Sequence, residues 1–301
     1  MTVVFESRHK YQLNKMLKFF GIAKSTYFYN IKNINKIDEN YELNNTIRLI
    51  FNENKARYGY RRITLELRNR DIIVNHKKVK RLMKVLNLYG KQPKAKYKSY
   101  KGDVGKICGN LLLDKVVDTN NINTCYKRNF STTSVNQIWS TDVSEFHIAS
   151  GKLYLSPILD AHNREIISYT ISRSPNYKQV ADMLNQAFQN HKNLDDLIFH
   201  SDQGWQYQMK QYRDALSCKN IKQSMSRKGN CYDNCIIEIF FGTMKNEMFY
   251  GNEYTFNSLE ELEKEMHEYI KYYNGKRIMT KLKGLTPISY RHQTLNDVTL
   301  N

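Results

Sequence analysis

From about residue 135 onward the chain alternates strand-like runs with helical runs, and this order restricts the fold more than any other feature. The strand-like runs alternate or are continuously apolar, whereas the helical runs repeat their apolar residues every three or four positions. In chain order the series is three strands, helix, strand, helix, strand and helix, over residues 137–148, 152–159, 165–172, 178–191, 197–200, 209–217, 221–225 and 232–248. A charged helix over 258–273 follows. The pattern by itself predicts a mixed α/β unit.

The formal net charge of +18 is confined to the front of the chain. Residues 1–132 contain 28 Lys and Arg against 10 Asp and Glu, whereas residues 133–301 contain 19 of each. An excess of this size favours a polyanionic partner, and nucleic acid is the most common one. A solvated basic surface or an anionic membrane surface would also fit the charge. No apolar run approaches ~18 residues and no lipid anchor is visible, so no membrane partner is expected.

The cysteines indicate a reducing compartment. Five of them, at positions 108, 125, 218, 231 and 235, are scattered without a Cys-x-x-Cys pair. An odd, unpatterned set favours reduced thiols over disulfides or structural zinc. Cys231 and Cys235 could share a helix face, but no histidine lies nearby, so packing is the preferred interpretation. We therefore expect a cytoplasmic protein.

The first hundred residues have helical periodicity. A run over 44–69 is interrupted at Arg57-Tyr-Gly-Tyr-Arg-Arg62, and another run over 75–86 places its apolar residues on one face. The opposite face of that helix is basic, with Lys77, Lys78, Lys80 and Arg81. Short helices joined by short turns, one with a cationic face, favour a helix-turn-helix unit that binds DNA. A small helical bundle with a solvated basic face is the alternative. Residues 91–134 are polar and poor in pattern, which is typical of a linker.

Three acidic residues stand in contexts where an isolated charge needs a reason. Asp142 lies in Trp139-Ser-Thr-Asp142, Asp202 ends the apolar run that begins at Leu197, and Glu238 is flanked by Ile236, Ile237, Ile239 and Phe240. Burying unpaired carboxylates is costly, and two of them ~4 Å apart repel by roughly 4 kcal/mol at a typical effective dielectric. Divalent ions would remove this repulsion, and two such ions can assist phosphodiester cleavage. Oxygen ligands suit Mg²⁺, with Mn²⁺ as a substitute.

Taken one at a time, each of these acids would be interpreted as a helix cap or a surface charge. Asp160, Asp182, Asp195 and Asp196 are assigned to that structural role, and the histidines His147, His162 and His191 to surface or packing positions. Ser201 and Cys218 have no visible His–Asp partners, which argues against nucleophilic serine or cysteine catalysis. The hypothesis of a metal site therefore depends on the three acids acting together.

Several long, ordered blocks resemble the second-frame (OrfB) transposases of bacterial insertion sequences of the IS-three family, especially the IS-150 subgroup. The blocks are Arg57-Tyr-Gly-Tyr-Arg-Arg62, the segment 74–83, Trp139–Asp142, His200–Tyr207, Ser226–Asn234 with Glu238, Tyr272-Tyr-Asn274 and Gly284-Leu-Thr-Pro287. They cover nearly the whole chain. Cys235 stands where a small residue such as Ala is usual in the family, and it is similar in size. The resemblance places the chain in the DDE transposase and retroviral integrase superfamily.

The resemblance implies an α/β fold with a ribonuclease H-like catalytic core behind a helical helix-turn-helix region. The expected domains are a DNA-binding region over 1–100, a basic and polar linker over 101–132, and a catalytic domain with a helical tail over 133–301. The implied activity is magnesium-dependent cleavage and joining of DNA strands at the inverted repeats of an insertion sequence. Asp142, Asp202 and Glu238 are then both the catalytic residues and the metal ligands.

The same resemblance suggests the partners and the DNA contacts. Double-stranded DNA, both element ends and target, is the expected partner of a homo-oligomer working at the nucleoid, with the first-frame protein or a fusion segment as a further partner. The expected DNA-binding residues are Arg57, Arg61, Arg62, Lys77, Lys78, Lys80, Arg81, Arg227, Lys228 and Lys245. Lys245 lies two helical turns after Glu238, so the two side chains are predicted to share a face. An intrahelical ion pair is the structural alternative for this lysine.

Two other functions use the same features. A ribonuclease H-like nuclease or junction resolvase would share the metal chemistry without strand transfer. A non-catalytic DNA-binding regulator would keep only the basic region, and the three acids in their contexts argue against it.

Overall fold

A computed structural model describes residues 2–34, 40–91, 107–117 and 124–299. The helices are α1 (Thr2–Glu6), α2 (Leu13–Phe19), α3 (Lys24–Ile34), α4 (Tyr41–Glu53), α5 (Tyr60–Asn69), α6 (His76–Val85), α7 (Tyr177–Asn190), α8 (Trp205–Gln208), α9 (Lys210–Ser217), α10 (Cys235–Met244), α11 (Leu259–Gly275) and α12 (Pro287–Thr299). The strands are β1 (Leu113–Val117), β2 (Thr124–Arg128), β3 (Ile138–Thr141), β4 (Ser144–Ile148), β5 (Gly151–Asp160), β6 (Ile166–Ser172), β7 (Ile198–Ser201) and β8 (Lys222–Met225).

Helices α4, α5 and α6 form the predicted helical unit around a core of their own. Each contributes buried aliphatic residues at helical spacing, such as Ile50, Ile63 and Val79. The Asn75 side chain caps α6 by accepting a hydrogen bond of 2.8 Å from the Lys77 amide. Ile278, from the far end of the chain, completes this core. The helical unit therefore packs against the C-terminal region and does not stand apart from it.

Residues 133–301, where the sequence predicts the catalytic domain, contain one six-stranded mixed sheet. We call this part of the chain the catalytic half. β3, β7 and β8 run parallel to one another, while β5 pairs antiparallel with β3, β4 and β6. One face is covered by α10 and α11 and the other by α7, α8 and α9, and each face has its own apolar core. A sheet buried on both faces explains why Leu197–Phe199, which leads through β7, is continuously apolar. The α/β class, with a helical region in front of the sheet, is confirmed.

Three local expectations differ from the structure. The strand predicted over 137–148 is two strands, β3 and β4, because pairing is interrupted at Asp142 and Val143; both strands pair antiparallel with β5 in one register, and Pro157, which has no N–H to donate, lies on β5 between the two paired stretches. The helix predicted over 232–248 is a short 3₁₀ turn at Cys231–Asn234, then α10, then a π-helical turn at Lys245–Phe249. The π turn places one extra residue within the helical run, which re-aims the side chains that follow.

The third difference concerns the segment expected to be a linker. Within residues 107–117 and 124–132 the chain forms the antiparallel hairpin β1–β2, in which Leu113 pairs with Arg128. Leu112 is buried in the core of the catalytic half, and the Met225 amide bonds the Gly109 carbonyl at 3.3 Å. This part of the segment belongs to the catalytic core, since its backbone and apolar contacts are made there. The remaining linker residues lie outside the described ranges.

Three cysteines whose side chains are described, Cys108, Cys218 and Cys235, are free thiols, as the composition predicted. Among the described helices, none is both long enough and apolar enough to span a bilayer.

Candidate active site

Asp142 and Asp202 lie side by side because of the register of two parallel strands. β3 and β7 are neighbours, and Ser140 is the partner of His200. Each aspartate comes two residues after its member of that pair, just beyond the carboxyl end of its strand. Adjacent strands run about 4.8 Å apart, so both carboxylates emerge from the same edge of the sheet. Local backbone amides orient them: Val143 donates to Asp142 at 2.7 Å and Gly204 to Asp202 at 2.8 Å.

Glu238 lies in the first turn of α10, and its charge acts on both aspartates. Its neighbours Ile237 and Phe241 are buried in the core under the sheet, which fixes the rotation of the helix. Burial and the negative charge of Asp202 raise the pKa of Glu238 to about 7. Burial and a nearby like charge both disfavour an ionised carboxylate. The structure thus aligns the two aspartates that the sequence singled out and places Glu238 within range of their charge, without closing the three around one point.

The electrostatics of the aspartates agree with this. Burial and then the charge of Asp202 raise the pKa of Asp142 well above its ordinary value, and Glu238 adds to the effect. Burial also raises the pKa of Asp202, although its bond from the Gly204 amide opposes the shift. Among the described residues, no Lys, Arg or His forms an ion pair with any of the three. The site therefore carries negative charge that the surrounding side chains do not balance.

A divalent ion fits the donor chemistry of this site. Clustered carboxylate oxygens are the ligands that Mg²⁺ and Mn²⁺ prefer, and a cation would favour the ionised form of all three groups, whose pKa values are raised first by burial and, for Asp142 and Glu238, also by neighbouring acids. As the side chains stand, no three His, Cys, Asp or Glu in the described ranges lie close enough to enclose one ion. Binding of a divalent ion would therefore depend on the two aligned aspartates, and Glu238 would have to move toward them.

Tyr207 and Gly204 shape the floor of the site, and the sequence analysis did not assign them. Tyr207 is 1% exposed. Burial and the charges of Asp142 and Asp202 raise its pKa well above the ordinary value, so it remains a neutral phenol. A Cβ at Gly204 would lie 2.9 Å from Asp202 Oδ1, which leaves room only for glycine. Their position directly after Asp202, in Gly204-Trp-Gln-Tyr207, was the available signal.

Lys245 faces the acidic site from the π turn. Its ammonium lies 4.9 Å from the centroid of the Phe146 ring. Burial lowers the pKa of Lys245, while the negative charges of Glu145 and Asp142 oppose that shift. The charges of Lys245 and Asp142 therefore act on each other without an ion pair, and the shared face of Lys245 and Glu238 stays a prediction.

A structural frame holds the loop that leads into α10. Asp233 is buried, and its carboxylate accepts hydrogen bonds from Arg227 at 2.8 Å and from Arg128 at 2.7 Å. Burial opposes its ionisation, but these two arginines keep the pKa of Asp233 below the ordinary value. His200, between the Ser224 hydroxyl and the Asp233 carbonyl, has its pKa lowered by burial to about 4 and is neutral. Arg128 is a member of this frame that sequence reasoning missed.

The expected DNA-binding residues fall into two groups. The first is exposed: Arg61, Lys77, Lys78, Lys80, Arg81 and Lys228. Lys80 and Arg61 both lie over the Tyr60 ring, at 5.5 and 5.7 Å. The five of these residues that lie on α5 and α6 form a cationic surface there, as a DNA-binding unit needs. They are Arg61, Lys77, Lys78, Lys80 and Arg81. Their contact with DNA stays a prediction.

The second group, Arg57, Arg62 and Arg227, is engaged within the protein. Arg227 bonds Asp233, and Arg62 bonds Glu247 at 3.2 Å. The Arg57 side chain is 5% exposed and lies 4.5 Å from the Tyr272 ring centroid. A guanidinium buried in this way cannot reach a phosphate without leaving its contacts, so its placement argues against the expectation for Arg57.

Comparisons with known proteins agree with this geometry. A family model described as "Integrase core domain" matches residues 132–231, a second with the same description matches 238–295, and one described as "HTH-like domain" matches 37–96. The chain is 45% identical over 294 residues to the putative transposase InsK for insertion sequence element IS150 of Escherichia coli (strain K12), across 98% of each chain.

Two further matches cover part of the chain. An uncharacterized transposase-like protein of Haemophilus influenzae is 49% identical over 234 residues, which are 78% of this chain and 100% of that one. The HTLV-2 integrase catalytic core domain, solved in complex with magnesium, superposes with a TM-score of 0.42 at 18% identity. That superposition covers 53% of this chain and 98% of the solved one.

Proposed function

Because the chain belongs to the family of insertion-sequence transposases that carry an integrase core, we propose that Asp142, Asp202 and Glu238 are its catalytic residues. The enzyme is a polynucleotidyl transferase of the DDE superfamily, which cleaves and joins DNA strands with divalent metal. The observation that carries the assignment is the aligned register of β3 and β7, which brings Asp142 and Asp202 to one edge of the sheet, with the charge of Glu238 acting on both.

We propose Mg²⁺ as the metal, held by the carboxylates of these three residues. When bound, a pair of such ions would polarise the scissile phosphodiester and stabilise its attacking and leaving oxygens. The protein's own part is to keep the acids oriented through the amides of Val143 and Gly204. Tyr207 closes the floor of the site, and Lys245 supplies a positive charge for the phosphate of the strand being cut.

The test uses full-length protein and a labelled duplex that carries the end of its own insertion sequence. Asp142→Asn, Asp202→Asn and Glu238→Gln should each lower strand cleavage by at least ~10²–10³-fold while DNA affinity stays close to wild type. Asp182→Asn, an acid on α7 away from the three, is the matched control. A variant that cleaves like wild type removes that residue from the site. Pre-cleaved ends offered with target DNA separate a transposase from a nuclease, since only the transposase joins the strands.

For the DNA-binding surface we propose Arg61, Lys77, Lys78, Lys80 and Arg81, with Lys228 beside the active site. With ~6–10 phosphate contacts, the affinity for a duplex should fall by ~10³–10⁵ between ~50 and ~200 mM salt. Substituting Lys78 and Arg81 together should make that dependence shallower, and a dependence equal to that of wild type would exclude the surface. We further propose that the enzyme acts as a homo-oligomer on DNA at the cytoplasmic nucleoid, since two element ends must meet for joining. The first-frame protein or a fused segment is proposed as a further partner.

A further inference from the structure

The Arg57–Arg62 segment connects the helical unit to the catalytic half. Tyr58 is 1% exposed; its hydroxyl accepts a bond from the Ile278 amide at 3.0 Å and donates to the Lys276 carbonyl at 3.3 Å. Arg62 reaches Glu247 at 3.2 Å. We call the set Tyr58, Arg62, Glu247, Tyr269 and Arg277 the joint. It contains Tyr58 and Arg62 of this segment, and the sequence assigned Arg62 to DNA contact.

Glu247 is the centre of the joint. Arg277 binds its carboxylate with two nitrogens, at 2.9 and 2.8 Å, and Tyr269 donates to it at 2.9 Å. The side chains of Glu247 and Arg277 are 8% and 6% exposed, whereas Arg62 is 26% exposed. Arg62 is therefore the one cation of the joint that comes from the helical unit, and it bonds a carboxylate already fixed in the catalytic half.

Further contacts close the same interface. The Asn69 amide donates to the Gly284 carbonyl at 3.1 Å, and the Tyr272 hydroxyl donates to Asn54 Oδ1 at 3.2 Å. Leu65 lies 3.5 Å from where a Cβ of Gly284 would stand. These contacts come from α4 and α5 and meet α11 and the segment that follows it, so the interface involves more than one side-chain pair.

Glu247 also belongs to the helical run that carries the active site. That run begins at α10 with Glu238 and continues through the π turn, where Lys245 faces Asp142 and Glu247 faces Arg62. A single rigid element thus touches the acidic site at one end and the DNA-binding helices at the other. A carboxylate at this position would also repel a DNA phosphate placed at Arg62.

We propose that Arg62 and Glu247 are positioning residues that fix the DNA-binding helices on the catalytic core. The phosphodiester bond that is cut then lies at a set distance from the DNA held by α6. The inference depends on the proposed function, and it assigns Arg62 to the joint and not to DNA contact. A misplacement of ~1 Å can cost ~10²-fold in rate, so loosening the joint should affect where and how fast DNA is cut more than how tightly it is bound.

The experiment compares Arg62→Gln with Arg61→Gln in the full-length protein. Arg61 is the neighbouring residue, is exposed and, among the described residues, hydrogen-bonds only the Tyr60 hydroxyl with its side chain. The probe is the labelled element-end duplex, together with versions that carry one to three extra base pairs between the sequence protected by α6 and the end. Affinity, melting temperature and the cut position at nucleotide resolution are measured for each protein.

We expect Arg62→Gln to keep wild-type affinity, to cut ~10–100-fold more slowly, to cut at several neighbouring bonds and to tolerate the insertions. Arg62→Lys, which keeps the positive charge, should restore a single cut position. Arg61→Gln should bind more weakly and cut at the wild-type bond. If Arg62→Gln does not fold, Asn69→Ala, which removes another bond of the same interface, should give the same loss of cut position in weaker form.

Two results would overturn the proposal. One is an Arg62→Gln protein that loses affinity yet cuts only the wild-type bond, which would make Arg62 a DNA contact. The other is a protein that matches wild type in all three measurements. A wild-type protein that cuts nothing would count against the proposed function and not against the joint, so the two failures can be told apart.

Discussion

Glu238 and Glu247 lie on one helical run, and both are at least half-buried, yet their surroundings are opposite. Glu238 faces Asp202, and burial together with that charge raises its pKa to about 7. Burial would also raise the pKa of Glu247, but Arg277 and Arg62 hold it below the ordinary value. Removing the acid from a buried acid–arginine pair destabilises a fold, whereas an acid near other acids destabilises it until a cation binds. The acidic site therefore gives up stability for function, and the joint does not.

The largest effect should come from breaking the joint at its centre. Glu247→Gln leaves the Arg277 guanidinium buried without a counter-charge, which typically costs about 3–5 kcal/mol of unfolding free energy. Glu53→Gln is the control, because Glu53 and its partner Arg70 are 46% and 32% exposed and Arg70 keeps Glu66 as a second partner; it should cost about 1 kcal/mol or less. Urea unfolding measures both. Equal small losses would show that the joint is no more structural than a surface pair.

The next effect separates geometry from charge at the acidic site. In Gly204→Ala, the added methyl meets Asp202 Oδ1 at 2.9 Å and Gln206 Oε1 at 3.1 Å, so the carboxylate must shift. Cleavage of the element-end duplex should fall by ~10–100-fold with DNA affinity unchanged. Gly242→Ala, inside α10 with no atom within 4 Å of the added methyl, is the control and should cut normally. Normal cleavage by Gly204→Ala would mean that the position of Asp202 is not critical.

A smaller effect is expected at Lys245, the cation next to the acidic site. Lys245→Gln removes a positive charge that is held near Asp142 without an ion pair. If the lysine binds a phosphate of the cut strand, cleavage should fall by about tenfold, equivalent to roughly 1.4 kcal/mol, with little change in melting temperature. Lys264→Gln, on α11, serves as the surface control. A loss of stability without a loss of cleavage would assign Lys245 to packing against Phe146.

The smallest expected effect is a gain of stability in Glu238→Gln, opposite in sign to the loss expected for Glu247→Gln. A carboxyl group whose pKa is raised in the folded state lowers the free energy of unfolding above that pKa and has no such effect below its unfolded pKa. For Glu238 the folded value is about 7 and the unfolded value is 4.5. In the presence of a chelator, Glu238→Gln should therefore stabilise the protein by about 1 kcal/mol at pH 8, after allowing for solvent contact, and by nothing at pH 4.

At pH 8, magnesium should make wild type more stable than Glu238→Gln. Added Mg²⁺ stabilises the folded protein in proportion to its affinity, so wild type should gain more than Glu238→Gln. Melting temperatures with chelator and with Mg²⁺, at both pH values, make the comparison. A Glu238→Gln protein that is less stable than wild type without metal at pH 8 would place Glu238 among paired, structural acids like Glu247.

The sequence by itself determined the order of the elements, the split between a basic helical front and an α/β rear, and the three acids. These features are local: strand ends, apolar neighbours and short blocks are written in consecutive residues, so Asp142, Asp202 and Glu238 could be picked out before their contacts were known. The alternation of strands and helices after residue 135 was likewise sufficient for the fold class, with small errors where strand pairing is interrupted at Asp142 and where α10 becomes a π turn.

Only the tertiary structure decided what the arginines of Arg57–Arg62 do and where the segment before the sheet belongs. Arg62 and Glu247 are 185 residues apart in the chain, and Arg128 and Asp233 are 105 apart. Periodicity and motif spacing carry no information about such partners, and a basic run has the same composition whether it faces DNA or a buried carboxylate. The choice between the two depends on burial and on which surface is packed opposite, and those are properties of the folded chain.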